Sequence, residues 1–240
     1  MGADCFGGAL YCKIFLGSVS FMSNTDMRTV VCPKCGGSNE VKVFRTVNAT
    51  TDQNFREQLL GGELLRFRCS SCGCEAELKY PLLYNDMKNK FMVYYIPDAD
   101  REKLTDEQLE KEYGELQGIT RRLVSSYNEL KEKIHIFESG LDDCVIEVVK
   151  AALKDVVEKR TEDKVTGGYF SKYSVEEGKI GFTFFVGDGN EQFVQTTRLE
   201  IYEKSKAVAK AGGFGEDDRS FRLVNREWAR EALYKYKKNK

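Results

Sequence analysis

Residues 29–97 alternate apolar and polar positions in short runs, a pattern typical of β-strands. Gly61-Gly62 ends the one stretch, residues 52–60, whose apolar spacing predicts a helix instead. The predicted strands are the approach to Cys32 from Thr29, followed by residues 41–44, 64–68, 75–80 and 91–96. This part of the chain is therefore predicted to consist of short β-hairpins.

A helical period begins at residue 119. Apolar side chains recur there at intervals of three and four, which places them on one stripe of a helix: Ile119, Leu123, Tyr127, Leu130, Ile134 and Phe137. Ser139-Gly140 breaks this pattern, and Asp142 can cap a second amphipathic helix. Two such helices with a short connection predict an antiparallel helical hairpin over residues 119–160.

Residues 166–238 are predicted to form a small antiparallel β-sheet with helices. Glycine-containing turns separate predicted strands at 169–173, 179–186 and 191–197. Two helices follow, one from Thr197 to about Lys210 and one capped by Asn225. The predicted fold class is α+β: N-terminal β-hairpins, then the helical hairpin, then this sheet with its helices.

The chain start is predicted to lie outside the folded part. Residues 1–26 read as a disordered or non-native extension, with Met22 or Met27 as the biological start. The hydrophobic stretch at 6–21 lacks the basic n-region and cleavage site of a signal peptide. The remaining segments are the β-rich unit at 27–97, a charged linker with a short helix at 98–118, and the α+β domain at 119–240.

Composition and charge narrow the class of protein. Apolar residues make up 41% of the 240 and charged residues 31%, as in globular proteins, and no run is long and apolar enough to span a bilayer. The formal charge of −1 argues against a protein that mainly coats nucleic acid. No membrane partner is expected, and the lack of a secretory signal together with four of the eight cysteines at metal spacing predicts a cytoplasmic protein.

Four cysteines carry the clearest chemical signal. Cys32-Pro33-Lys34-Cys35-Gly36 and Cys69-Ser70-Ser71-Cys72-Gly73 each leave a two-residue gap, which lets both thiolates of a pair face one ion. Glycine after each second cysteine allows a tight turn. Two such pairs predict one tetrahedral Zn²⁺ with no open position, so the ion is structural. Disulfide bonding and redox sensing are the alternatives.

Longer motifs surround these cysteines. They are Cys32-Pro33-x-Cys35, Leu60-Gly61-Gly62-Glu63-Leu64, Arg68-Cys69-x-x-Cys72-Gly73 and Tyr80-Pro81-Leu82-Leu83-Tyr84-Asn85-Asp86-Met87. Over roughly residues 27–97 the chain thereby resembles the CpXC domain family of bacteria and archaea. The resemblance implies a zinc ribbon with metal ligands at positions 32, 35, 69 and 72, and it supplies no reaction. Cys74 departs from the family pattern and is expected beside the metal as a spectator thiol.

Basic and aromatic residues interleave in the same region, as in ribbons that stack bases and neutralise phosphates. The possible nucleic-acid contacts are Arg45, Arg66, Arg68, Lys79, Lys88 and Lys90. The alternative is that the aromatic rings form the small core while the basic groups extend outward. Residues 27–97 carry ten basic and seven acidic side chains, a net of only +3, which favours the alternative.

Two function hypotheses follow. The first is a non-enzymatic, zinc-stabilised binding or adaptor protein that recognises a protein or, secondly, a nucleic acid, with no small-molecule cofactor. The second is an enzyme acting on nucleic acid or a nucleotide, with its site in the C-terminal α+β domain. A deep pocket lined by Asp188, Glu191 or Glu200 with Arg198 would favour the enzyme. No nucleophile and base are paired by any motif, and the single histidine, His135, reads as a boundary residue of a helix.

Overall fold

The computed structural model describes residues 9–11, 23–97, 116–215 and 220–239. These residues group into two compact units. Unit 1 comprises the described residues up to Ser126 together with Ser220 and Phe221, and unit 2 comprises the described residues from Tyr127 onward without those two. Five α-helices and three β-sheets among the described residues make the fold mixed, as the predicted α+β class requires.

The larger sheet of unit 1 has the strand order β2-β3-β6-β7-β8. Its strands are β2 (Asn24–Val31), β3 (Ser38–Asn48), β6 (Leu82–Asp86), β7 (Phe91–Tyr95) and β8 (Thr120–Val124). β2 pairs antiparallel with β3 and β6 antiparallel with β7, whereas the β3–β6 and β7–β8 pairs are parallel. Every residue of β6 and β7 is buried, so these strands are the core of the unit.

A second sheet of unit 1 has the order β1-β5-β4. Its strands are β1 (Ala9–Tyr11), β4 (Arg66–Arg68) and β5 (Glu75–Lys79). Helix α1 (Gln53–Leu60) and a 3-10 turn at Glu63–Leu65 connect the two sheets along the chain. The predicted helix at 52–60 is therefore confirmed, and the two predicted hairpins are present as β2–β3 and β4–β5.

Two predictions for unit 1 are wrong. The sequence predicted that a strand ends before Pro81 and that the next one begins at residue 91, whereas β6 begins directly after Pro81. Residues 120–124 form a strand, not the first turns of the helical hairpin, because their backbone pairs with β7. The interval of four between Ile119 and Leu123 fits a helix and also a strand whose same-face residues are two apart. Tertiary pairing decided between the two.

Unit 2 places helices on a three-stranded antiparallel sheet of order β11-β10-β9. Its elements are α2 (Tyr127–Glu138), α3 (Asp143–Thr161), β9 (Val165–Ser174), β10 (Lys179–Val186), β11 (Glu191–Arg198), α4 (Leu199–Ala211) and α5 (Arg226–Lys238). Asp142 caps α3 by accepting the Cys144 and Val145 N–H groups at 2.8 and 3.3 Å. The helical hairpin, the sheet and both later helices are thus as predicted, except that the hairpin begins at Tyr127 instead of residue 119.

Unit 2 also buries a group of ion pairs that the hydrophobic pattern gave no reason to expect. Lys133 lies 2.8 Å from Asp143 and 3.4 Å from Glu147, while Lys150 lies 2.8 Å from both Glu132 and Glu147. Burial lowers the pKa of Lys133, but the carboxylates around it outweigh burial and raise it. The network ties α2 to α3, because Glu132 and Lys133 lie on α2 and their partners lie on α3.

Two predicted segments are only partly described. The linker at 98–118, including its short helix, lies almost entirely outside the described residues. β1 and the first residues of β2 fall within the predicted extension at 1–26, and the proposal of a later start stays a prediction. None of the described helices combines the length and apolar character needed to cross a membrane.

Candidate metal centre

Each cysteine pair occupies the tip of a β-hairpin. Cys32 and Cys35 lie in the turn between β2 and β3, which we call the first cysteine turn (residues 32–37). The Cys32 N–H donates to the Gly37 carbonyl at 2.9 Å, and the Gly36 N–H donates to the Cys32 carbonyl at 3.0 Å. Gly36 has φ +72°, a left-handed conformation that favours glycine.

The second cysteine turn (residues 69–74), between β4 and β5, repeats this geometry. The Cys69 N–H donates to the Cys74 carbonyl at 2.8 Å, and the Gly73 N–H donates to the Cys69 carbonyl at 3.0 Å. Gly73 has φ +69°. Because both turns follow the same hydrogen-bond pattern, the spacing Cys-x-x-Cys-Gly determined the local backbone in both.

The four sulfurs, which we call the cysteine cluster, converge on one point. Cys32 Sγ lies 3.7 Å from Cys72 Sγ, Cys35 Sγ lies 3.6 Å from Cys69 Sγ, and all four are within 4.8 Å of one another. A tetrahedral ion with bonds of about 2.3 Å separates its sulfurs by about 3.8 Å. Disulfide sulfurs lie about 2.05 Å apart, and all four thiols are free, so the cluster has the dimensions of a metal site.

Backbone N–H groups of the turns stabilise thiolates. The Cys72 and Ser71 N–H groups lower the pKa of Cys69 to about 6, and those of Cys35 and Lys34 lower the pKa of Cys32 against the effect of burial. The Cys74 N–H favours the Cys72 thiolate too, but burial and the other three sulfurs raise its pKa to about 12. A cation among the sulfurs removes that repulsion, so metal binding would release protons.

Asn39, on β3, joins the two turns and was missed by the sequence analysis. Its Nδ2 donates to the Gly37 carbonyl at 2.9 Å and lies 3.6 Å from Cys69 Sγ. Its Oδ1 accepts the N–H and the hydroxyl of Ser70, each at 2.8 Å. The side chain is buried. Asparagine is depleted in strands, so an asparagine in a strand four residues after Cys35 was the one feature of the sequence that could have indicated this role.

The two other thiols in the described part of the chain lie outside the cysteine cluster. Cys74 is buried, and its thiol is directed to the Glu75 carbonyl at 3.9 Å and is not one of the four converging sulfurs. Cys144 belongs to the apolar core of unit 2. It also lies near Asp142 and Asp143, but the cap of α3 and the ion pair with Lys133 account for these two carboxylates.

The structure does not gather the predicted nucleic-acid contacts on one element. Arg45 lies on β3, where it bonds Asp26 at 2.7 Å, and Asp26 also contacts Arg28. The hydrogen bond from Arg45 holds the pKa of Asp26 below its usual value. Lys88 and Lys90 are exposed in the turn between β6 and β7.

The basic residues of the β4–β5 hairpin face acidic partners. Arg66 is directly opposite Glu77, and Arg68 is directly opposite Glu75, 3.9 Å from its carboxylate. Arg66 and Arg68 are exposed on the same face, and Lys79 is half-buried at the far end of β5. The hairpin surface is therefore a balanced mixture of charges, not a basic face.

The side chains proposed for an enzymatic pocket do not meet. Asp188 and Glu191 lie at the turn that joins β10 and β11, where Asp188 accepts the Asn190 N–H at 3.0 Å. Arg198 and Glu200 lie at the opposite end of β11, and Glu191, Arg198 and Glu200 are exposed. β11 runs for eight residues from Glu191 to Arg198, which places its two ends more than about 20 Å apart. His135 is exposed on α2.

Comparison with known proteins agrees with the geometry. A family model described as CpXC protein matches residues 30–150, half of the chain, and this range contains all four cysteines of the cluster. No curated protein and no solved structure gives a significant match.

Proposed function

The chain belongs to the CpXC protein family, and from this premise we propose that it is a non-enzymatic binding or adaptor protein stabilised by one structural Zn²⁺. The observation that supports the metal is the convergence of four thiols from two equivalent turns. Four sulfur donors suit Zn²⁺, which has no geometric preference of its own and accepts the tetrahedron that the turns provide. The two hairpins with their cysteine tips form a zinc ribbon in this proposal.

The proposed role of the ion is to hold the two turns together. Four thiolates complete its coordination, so no water is activated at it and it supplies binding energy instead of chemistry. Cys35 and Cys72 are exposed, and β4 pairs with β5 over only three residues, so the main-chain pairing of this hairpin is short. We expect chelation to unfold it.

The absence of catalysis is supported by where the candidate residues lie. Asp188 and Glu191 are separated from Arg198 and Glu200 by the length of β11. An active site needs its acid, base and binding groups within hydrogen-bond reach of one substrate. These residues do not meet that condition, which weakens the alternative of an enzyme acting on nucleic acid or a nucleotide.

A protein is the better partner for the ribbon. Its arginines are matched by acids, whereas β2 exposes a row of uncharged side chains on one face, with Met27 56% and Val31 55% exposed. β2 is also an edge strand of its sheet. Exposed apolar side chains on the edge strand of a sheet, as β2 is among the described strands, are typical of surfaces that bind other proteins.

Native mass spectrometry tests the metal. The protein purified without added metal should carry one zinc per chain, and Cys32→Ser with Cys69→Ser should lose it, whereas Cys74→Ser should keep it. Binding of two ions, or retention of zinc by the double variant, would contradict the proposed centre.

Affinity capture tests the partner surface. The zinc-loaded wild type and the zinc-loaded Arg66→Gln/Arg68→Gln variant are each used as bait in a lysate treated with nuclease. Both should capture the same discrete protein. Met27→Asp/Val31→Asp should lose it while retaining zinc. Capture that survives in the β2 variant, or that nuclease abolishes, would refute a protein partner at this face. Turnover of oligonucleotides or nucleotides by the wild type would support the enzyme instead.

A further inference from the structure

Helix α5 separates its charges into two stripes. Residues at intervals of four, four and three lie on one side of an α-helix. The first stripe, which we call the basic stripe, consists of Arg226, Arg230, Tyr234 and Lys237. The second, the mixed stripe, consists of Glu227, Glu231, Lys235 and Lys238. All eight side chains are exposed.

The opposite face of α5 fixes this orientation. Ala229 and Ala232 are buried, and Trp228 packs against the core of unit 2. Gly212, at the end of α4, comes so close that a Cβ there would lie 2.7 Å from the Ala232 Cβ and 2.8 Å from Trp228 Cζ2. Rotation of α5 would break this packing, so the basic stripe is held toward solvent.

The basic stripe contains three cations and no acid. No ion pair joins Arg230 or Lys237 to a carboxylate among the described residues. Arg226 lines a surface depression whose acidic residues are Glu158, Glu162 and Asp163 and whose basic residues include Lys154 and Lys164. α5 as a whole has five basic and two acidic residues, or +3. Like charges held together on one side favour a polyanionic partner.

Tyr234 gives the stripe an aromatic surface. Its side chain is 69% exposed and lies between Arg230 and Lys237 on the helix. Cations interspersed with an exposed ring are the elements with which proteins bind single-stranded nucleic acid: the cations contact phosphates and the ring stacks on a base. A membrane-binding helix would instead expose a broad apolar face, whereas the apolar face of α5 is packed in unit 2.

We propose that the basic stripe of α5 is a binding surface for single-stranded nucleic acid, with Arg226, Arg230 and Lys237 on the phosphates and Tyr234 stacked on a base. In a duplex the bases stay stacked on each other and are not free to stack on Tyr234, so a duplex should bind the basic stripe less well than a single strand. This surface lies in unit 2 and differs from the ribbon residues considered above. It does not depend on the metal centre or on the protein partner of β2.

Fluorescence anisotropy with labelled twenty-nucleotide single strands of DNA and RNA tests the proposal. Three phosphate contacts predict that log K falls with log salt with a slope of about −2 for single strands. Arg230→Gln/Lys237→Gln should weaken binding about tenfold or more and reduce the slope to about −1. Lys235→Gln/Lys238→Gln removes the same charge from the mixed stripe and should change affinity less than about threefold.

Further variants separate stacking from charge and one surface from another. Tyr234→Leu should lose about fivefold or more in affinity with no change in salt slope. Arg66→Gln/Arg68→Gln should bind as the wild type does. Four results would each overturn the proposal. Arg230→Gln/Lys237→Gln and Lys235→Gln/Lys238→Gln could weaken binding equally, or Arg66→Gln/Arg68→Gln could lose binding. The wild type could bind a duplex as tightly as a single strand, or bind neither at low salt.

Discussion

Replacing Asn39 with alanine should weaken metal binding without changing any ligand. The substitution removes two hydrogen bonds to Ser70, one to Gly37 and the contact with Cys69 Sγ. Ser70 is exposed, so water can replace the hydrogen bonds that Ser70 loses in the variant. The Asn39 amide beside Cys69 Sγ is buried, so water does not readily replace it. A hydrogen bond to a charged group contributes about 1.5–3 kcal/mol.

We therefore expect Asn39→Ala to cost about 2 kcal/mol, which is about thirtyfold in zinc affinity and lies within the range for partners of metal ligands. Competition with a chromophoric chelator measures this affinity. The thiolate-to-cobalt charge-transfer band of the Co²⁺-loaded protein gives an independent readout, because it responds to hydrogen bonds on the sulfurs and not to overall stability.

Two further variants show which contact matters. Asn39→Asp keeps the acceptors for Ser70 but places a negative charge beside the Cys69 thiolate, so it should lose at least as much affinity as alanine. Asn89→Ala lies in a turn of the same unit, bonded to Asp86, and should leave the affinity unchanged. An Asn39→Ala variant that binds zinc within twofold of the wild type would refute the reasoning.

Three other predictions concern stability and pH. Gly168→Ala should destabilise unit 2 by about 1–3 kcal/mol in urea unfolding, because its Cβ would lie 2.6 Å from the Phe184 ring; Gly167→Ala, with 3.7 Å to the nearest atom, should be close to neutral. Lys133→Met should lower the free energy of unfolding by about 3–5 kcal/mol in the same assay, because it leaves the buried Asp143 carboxylate without its cation. A decrease of less than about 1 kcal/mol would contradict the buried network. Zinc affinity should fall at least about tenfold per pH unit as the pH drops from 8 to 6. The Cys72 thiol, with a pKa of about 12, is protonated in the metal-free protein and must release its proton when zinc binds. A pH-independent affinity would exclude thiolate ligands.

Local sequence was sufficient wherever a structure depends on residues close together in the chain. The spacing Cys-x-x-Cys-Gly specified both cysteine turns, since the hydrogen bonds within each turn span at most five residues and only glycine accepts φ near +70° without strain. Asp142 and Asn225 cap the helices that follow them for the same reason. The family motifs likewise lie within short segments.

Tertiary structure decided the features whose partners are distant in the chain. Residues 120–124 are a strand because β7 supplies a pairing edge, although their apolar spacing also fits a helix. Arg45 is paired with the Asp26 carboxylate on the neighbouring strand, and the buried Lys133 is paired with Asp143 on the next helix. Neither effect follows from the composition of a segment.

The cysteine cluster combines both kinds of information. Its four cysteines stand out in the sequence because the two-residue gap brings a pair of thiols to one side of a turn. That the two turns face each other, and that Asn39 joins them, required the hairpins to be folded, because 33 residues separate the pairs and a buried amide is recognised only by the groups around it. Local geometry therefore determined how each cysteine pair is presented, and long-range packing brought the two pairs together and determined what surrounds them.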